Sequence, residues 1–168
     1  MTAPVVTSQC PLVAGPVAIF VDTGAANALE FLGYTIDGVE IEENAFIEGI
    51  PSDLSGGTSG PPTDYQWFGR QDRISFELGK FDPAVLAKVS QRNNPAASGT
   101  LNVGTLLGCS GQTYRVLLLG DNFTRNYLSC IPIDPHRWAP IGAKFTRVSG
   151  SFTANVVSGV IYNTTSTY

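Results

Sequence analysis

The chain is expected to be mainly β, a sandwich or barrel of about seven to eight strands with one flanking helix. Three observations point there. Apolar and acidic side chains alternate in Val39-Glu40-Ile41-Glu42, and Ile74, Phe76 and Leu78 share one face of a later stretch. Such period-two alternation marks a half-buried strand. Charged residues are sparse while Gly, Thr, Ser and Val are plentiful, as suits a turn-rich β chain. Only one stretch, opened by Phe81-Asp82-Pro83, carries a full set of helix signals. At 168 residues the chain has the length of one domain, enough to bury roughly two-thirds of its unfolded surface.

Taken in order, residues 1–16 carry three prolines and no charge, which predicts an extended N-terminal arm. Such an arm either frays or is tied down by a neighbouring subunit. A single β-rich domain is expected over residues 17–163, followed by a polar tail at 164–168. Val17 to Val21 reads as a short strand ended by Asp22-Thr23-Gly24, and Ala25 to Phe31 as one helical turn. Leu32 to Ile36 leads into an Asp37-Gly38 turn and then the acidic strand. A loop rich in Gly, Ser and Pro, residues 50–64, separates that strand from the one centred on Phe76. Loops of this length within a compact domain are usually functional or disordered.

The helix is placed at about residues 82–92, with Asp82 as N-cap, Pro83 at the first helical position and an apolar stripe of Val85, Leu86 and Val89. Lys88 and Arg92 lie near its C-terminal end, where the dipole favours cations. A short strand at Gly104 to Leu107, a buried strand at Thr113 to Leu119 and another at Tyr127 to Ile133 follow. The second and third are joined by a Gly120-Asp121-Asn122 turn. Pro132, Pro135 and Pro140 bracket a loop holding His136, Arg137 and Trp138. Ala143 to Val157 reads as one strand whose apolar parity changes across Gly150, predicting a bulge there. Val160 to Tyr162 closes the sheet.

The function classes narrow by what the chain carries. Cys10, Cys109 and Cys130 are an odd number at wide spacing, with no Cys-x-x-Cys pair and one histidine. They read as free, mostly buried thiols in a reducing compartment, and no metal or other cofactor is expected. No apolar run approaches the roughly 20 residues that span a bilayer. The N-terminus lacks the basic region and apolar core of a secretory signal, so a soluble chain without membrane contact is expected. Residues 1–69 contain nine acids and no Lys or Arg, whereas residues 70–168 contain ten Lys and Arg against five acids. Either the acidic face is compensated within the subunit, or acidic and basic patches meet between subunits in heterologous contacts that close rings or propagate filaments. A pI near 4.8 with scattered basic residues argues against sequence-specific nucleic-acid binding.

Ile19-Phe20-Val21-Asp22-Thr23-Gly24-Ala25 resembles the catalytic turn of aspartic proteases, which in retroviral-type members is completed by a homodimer. That chemistry requires two carboxylates sharing a proton. Ser55 to Gly60 can be cast as the flap, but Asp-Thr-Gly is also an ordinary turn after a strand. A homodimeric protease using Asp22 is therefore kept as an alternative, and Asp22→Asn separates it from a structural turn. His136 has no nucleophile elbow or cysteine-protease context beside it. Glu42 and Glu43 adjoin on a strand, so they point to opposite faces and form no dyad. Asp37, Glu40, Glu42 and Asp53 lack the loop spacing of a cation site.

Several patterns resemble phage virion proteins, most closely tail-tube subunits: Leu32-Gly33-Tyr34-Thr35-x-Asp37-Gly38-Val39-x-Ile41, Ile50-Pro51-x-Asp53, Gly56-Gly57-x-x-Gly60-Pro61-Pro62-x-Asp64, Phe68-Gly69 and Phe81-Asp82-Pro83-Ala84-Val85. Arg125-Asn126-Tyr127 and the strand around Phe145 to Phe152 fit the same type. The resemblance implies no enzyme, but a subunit that self-assembles into stacked, six-fold rings around a lumen that DNA traverses. It also implies a place in the virion beside sheath, neck or tail-tip proteins. A head–tail connector or a capsid accessory protein is the alternative within the same class. On this reading the 50–64 loop (Ile50, Pro51, Asp53, Gly57, Pro61, Pro62), the N-terminal arm, and the acidic strand against Arg70, Arg73 and Arg92 are interface regions. Tyr65, Trp67 and Phe68 are either anchors of that interface or part of the domain's own core. Glu40 and Glu42 are candidates to line the lumen.

Overall fold

The computed structural model describes residues 15–22, 28–51, 62, 64–90, 113–121, 123–133, 137–138 and 147–164. Among these the elements are β1 (Ala18–Asp22), β2 (Leu29–Ile50), β3 (Asp64–Phe81), α1 (Pro83–Ser90), β4 (Tyr114–Gly120), β5 (Phe123–Pro132), β6 (Arg137–Trp138), β7 (Val148–Asn155) and β8 (Tyr162–Asn163). All form one sheet in the order β6-β7-β3-β2-β1-β4-β5-β8, and β7 also pairs with β5. That extra pairing closes β1, β2, β3, β7, β5 and β4 into an antiparallel barrel. The expected mainly β architecture with a flanking helix is what the described residues adopt.

The barrel interior is filled from alternate positions of these strands. Ile19 and Val21, Ile74, Phe76 and Leu78, Val116 and Leu118, Tyr127, Phe152 and Ala154 are all buried in one cluster. The alternation of Ile74, Phe76 and Leu78 thus faces the core as read from sequence. Phe76 and Phe152, from neighbouring strands, stack with centroids 5.5 Å apart. α1 adds Val85, Leu86 and Val89 to the same cluster. Its N-terminus is capped by Asp82, whose Oδ1 accepts from the Ala84 and Val85 amides at 2.8 and 3.3 Å. Lys88 Nζ holds the Glu30 carboxylate of β2 at 2.7 and 2.9 Å, which ties the helix to the barrel.

Several boundaries differ from expectation. β2 is a strand of 22 residues, roughly 70 Å if fully extended, where a helical turn, a short strand and a turn were expected. Leu29 to Phe31 are strand, because they complete the register with β1. Asp37-Gly38 is a bulge rather than a chain reversal: the pairing with β3 jumps from Thr35↔Leu78 to Val39↔Phe76. Gly38 takes φ +89° there, a conformation that favours glycine. No bulge occurs at Gly150, since Val148, Gly150, Phe152 and Ala154 share one parity and pair with β3 without a shift. Arg137 and Trp138, expected in a loop, pair with β7 as β6. β5 begins at Phe123, earlier than Tyr127, because Gly120↔Phe123 closes a tight hairpin.

β7 and β8 run down the same edge of β5, Ala154 beside Cys130 and Tyr162 beside Tyr127. Between them Val157 and Val160 exchange two backbone hydrogen bonds of 2.8 and 3.0 Å around Ser158-Gly159, both at positive φ. This two-residue turn is a small hairpin set into an otherwise continuous edge. Residues 1–14, the expected strand at 104–107, the helix's last positions 91–92 and the tail from 165 lie outside the described residues.

Candidate assembly surface

β1 leaves β2 at Tyr34, and β7 meets β3 only from Gln71 onward. Beyond Asn44 and Gln71, β2 and β3 pair with each other alone, from Ala45↔Arg70 to Ile50↔Asp64. This two-stranded arm reaches roughly 20 Å past the barrel. The arm is apolar on both faces. Ile47 and Trp67 are cross-strand partners, and Tyr65 follows on the same face. Phe46 and Ile50 occupy the opposite face, and a bulge between Phe46 and Ile47 leaves Phe68 as the extra residue. All six of these side chains are 43–65 % exposed. Tyr65, Trp67 and Phe68 are therefore not core residues of this chain, which decides one of the two readings made from sequence. Ordinary surfaces carry such residues singly rather than as a contiguous set.

The root of the arm is fixed by charge. Asp72, fully buried, accepts from Arg70 Nε and Nη2 at 2.7 and 3.0 Å. The same Arg70 Nη2 lies 2.7 Å from Glu43 Oε1, and Arg125 Nη1 of β5 reaches that oxygen at 3.1 Å. Arg125 also donates to the Tyr127 hydroxyl at 3.2 Å and stacks over the Tyr162 ring at 4.4 Å. Glu43 on β2, Arg70 and Asp72 on β3, and Arg125 on β5 thereby join three strands where the arm leaves the barrel. The hydrogen bond to Asp72, then the Asp72 and Glu43 charges, push the Arg70 guanidinium well above its ordinary value despite burial. Burial pushes the Tyr127 phenol up to about 12, with Arg125 pulling the other way. Burial also raises the Cys130 thiol, helped by the Asp72 charge.

The expected site residues fall into distinct places. Ile50 ends β2, and Pro51 and Pro62 are exposed beside the arm's tip. Asp53, Gly57, Pro61 and Arg92 lie outside the described residues. Arg70 is engaged within its own chain, as above. Arg73 stands directly across from Glu42, so the acidic strand meets a cation of the same subunit. Glu40 and Glu42 are both exposed on the barrel's outward face. Glu43 points the other way, as the alternation requires. Asp22 closes β1 between Leu29 and Arg115 of the flanking strands. Thr23, Gly24 and His136 lie outside the described residues.

Sequence reasoning missed Phe46 and Ile47 on the arm, and Glu43, Asp72 and Arg125 at its root. Asp72 carried a signal: it shares the parity of Ile74, Phe76 and Leu78, so it is a carboxylate at an inward position. A groove of about 600 Å³ lies between Pro16-Val17 and the Ile36–Val39 bulge, backed by Phe123, and among the described residues Asp37 is the titratable side chain that lines it. Among the described residues no group of His, Cys, Asp and Glu has metal-site geometry, and no helix is long and apolar enough to cross a membrane. No protein-family model matches the chain, and no curated protein is significantly similar to it.

Proposed function

We propose that this protein is a self-assembling structural subunit of a phage virion, a tail-tube subunit whose stacked rings surround a DNA-conducting lumen. The observation that supports this most is the arm: a two-stranded hairpin with large apolar side chains exposed on both faces, projecting from a closed barrel. An isolated two-stranded ribbon is marginally stable in water, and one coated in aromatics gains most by packing into another surface. The aromatic anchors Tyr65 and Trp67 are of the residue types that dominate interface energetics. A closed barrel offers few free sheet edges, so association is directed to the arm. Carried on one subunit, such an arm makes a head-to-tail contact, which closes rings or propagates as a stack.

The test is electron microscopy with sedimentation on the purified protein and on Tyr65→Ser/Trp67→Ser. The expected result is rings or tubes for the unaltered chain and folded, dispersed subunits for the variant. A chain that remains monomeric at high concentration, or a variant that assembles as well as the parent, refutes the proposal. A uniform dimer with peptidase activity abolished by Asp22→Asn would replace it with the protease reading.

A further inference from the structure

The arm needs a receiving surface, and the geometry points to a second apolar patch as that surface on another copy of the chain. This inference rests on the self-assembly proposed above. Outside the arm, an aromatic ladder runs across the outer wall of β1 and β2. Phe20 and Phe31 are cross-strand partners with ring centroids 5.5 Å apart, and Phe31 meets Tyr34 edge-on at 4.9 Å. Leu119 of β4, paired with Ala18, extends the ladder on the same face. Tyr34 is 43 % and Leu119 38 % exposed, and Phe20 and Phe31 are partly so.

Charge complementarity names the occupant. From Ala45 to Gly69 the chain carries Glu48, Asp53 and Asp64 and no cation. Across from Tyr34 on the neighbouring strand stands Lys80, exposed and without an ion pair among the described residues. An apolar, acidic arm thus faces an apolar wall edged by an uncompensated lysine. Both patches lie on β2, the wall at Tyr34 and the arm from Ala45, separated by roughly 35–40 Å of strand. With β2 and β3 paired along that whole distance and the root tied by Arg70 to Glu43 and Asp72, the arm points away from its own wall, so the wall it meets belongs to another copy. Donor and acceptor surfaces differ, making the contact heterologous and self-propagating. Trp67, Tyr65 and Ile47, which share one face of the arm, offer roughly 100–150 Å² each at their fractional exposure, about half of the roughly 800 Å² per partner of a standard interface.

Two variants test this by complementation: Tyr34→Ala/Lys80→Glu spoils the wall, and Tyr65→Ser/Trp67→Ser spoils the arm. Each alone should raise the concentration needed for head-to-tail assembly about tenfold or more. An equimolar mixture should instead form complexes joining one copy of each, because a sound arm and a sound wall then remain. Charge exchange gives a milder second measurement, through the arm's net charge because Glu48 sits on the Phe46 and Ile50 face rather than beside Trp67: Lys80→Glu and Glu48→Lys should each weaken assembly about two- to threefold, and the two in one chain should recover most of it. Should the unaltered chain and the wall variants assemble alike while the arm variant does not, the wall is the wrong receptor and self-assembly still stands. Failure of the unaltered chain to assemble overturns both. No recovery in either the mixture or the charge exchange also overturns the inference.

Discussion

Replacing Asp72 by Asn keeps the shape of the side chain and removes its charge, which isolates what the ion pair does for the arm's root. The carboxylate is fully buried and bound by two nitrogens of Arg70. Removing one partner of a buried pair costs about 3–5 kcal/mol when the other charge is left stranded. Arg70 is not wholly stranded: its side chain is 29 % exposed and keeps Glu43 at 2.7 Å. The cost is therefore set lower, at about 2–3 kcal/mol. For a chain of this size that lowers the melting temperature by about 4–12 °C. Glu43→Gln is the internal control, since its carboxylate is 44 % exposed and such pairs are worth about 1 kcal/mol or less.

The assay is urea denaturation of both variants, completed by Arg70→Met and the double variant, in an assembly-deficient background so that association does not contribute. The cycle should return a coupling between Arg70 and Asp72 of about 1.5 kcal/mol or more. Amide exchange in 45–50 and 64–70 should rise in Asp72→Asn more than exchange in β4 or β7, because the pair sits where the arm leaves the barrel. If Asp72→Asn costs no more than Glu43→Gln, or if exchange rises uniformly, the pair does not fix the arm.

Three further outcomes follow from the same geometry. Tyr127 is neutral when folded and holds its proton up to about 12 against an unfolded value of 10.0, so its contribution is complete below pH 10 and is lost as pH rises towards 12. That amounts to roughly 2–3 kcal/mol; Tyr127→Phe should flatten this part of the stability profile in alkaline denaturation, leaving the earlier loss from the buried Cys130 thiol. Phe152→Ala, which removes the ring stacked on Phe76 in the barrel, should cost about 3–5 kcal/mol by urea denaturation. Glu40→Lys/Glu42→Lys should leave the isolated fold within about 1 kcal/mol of the parent, both sites being exposed. If these carboxylates line a DNA passage, the variant's particles should deliver DNA more slowly; assembly and delivery at normal rates would refute that placement.

The barrel was legible in the sequence where one face of a strand is dry and the other wet. Glu40 and Glu42 alternate with Val39 and Ile41 for that reason, and Asp82-Pro83 marks the helix start because capping uses so few residue types. The arm was not legible as strand, because its apolar residues sit on both faces and a bulge at Phe68 breaks the period. Without alternation, Ala45-Phe46-Ile47 and Tyr65-Gln66-Trp67 read as the margins of a loop. Their exposure was equally hidden: a Trp packed in its own core and a Trp awaiting a partner are the same letter. Only the register, which carries both strands past Asn155 of β7, separates the two.

The register also resolves the uneven charge of the two halves. An antiparallel hairpin folds the acidic end of the first half onto the basic start of the second. Glu42 thereby meets Arg73, and Glu43 meets Arg70 and, across the barrel mouth, Arg125. Compensation is thus largely internal along the barrel wall, as one of the two readings of the charge distribution held. It stops where the arm begins: Glu48 stands opposite Gln66 and Asp64 opposite Ile50, with no cation from Ala45 to Gly69. Carboxylates cost little while the arm is in water, and they repel a second arm that approaches tip to tip. An uncharged aromatic ribbon would pair with its like in any register. Placed on the Phe46 and Ile50 face, behind Trp67 and Tyr65, Glu48 and Asp64 oppose arm-to-arm aggregation and favour a wall that carries a cation, which is how a sticky hairpin is made selective.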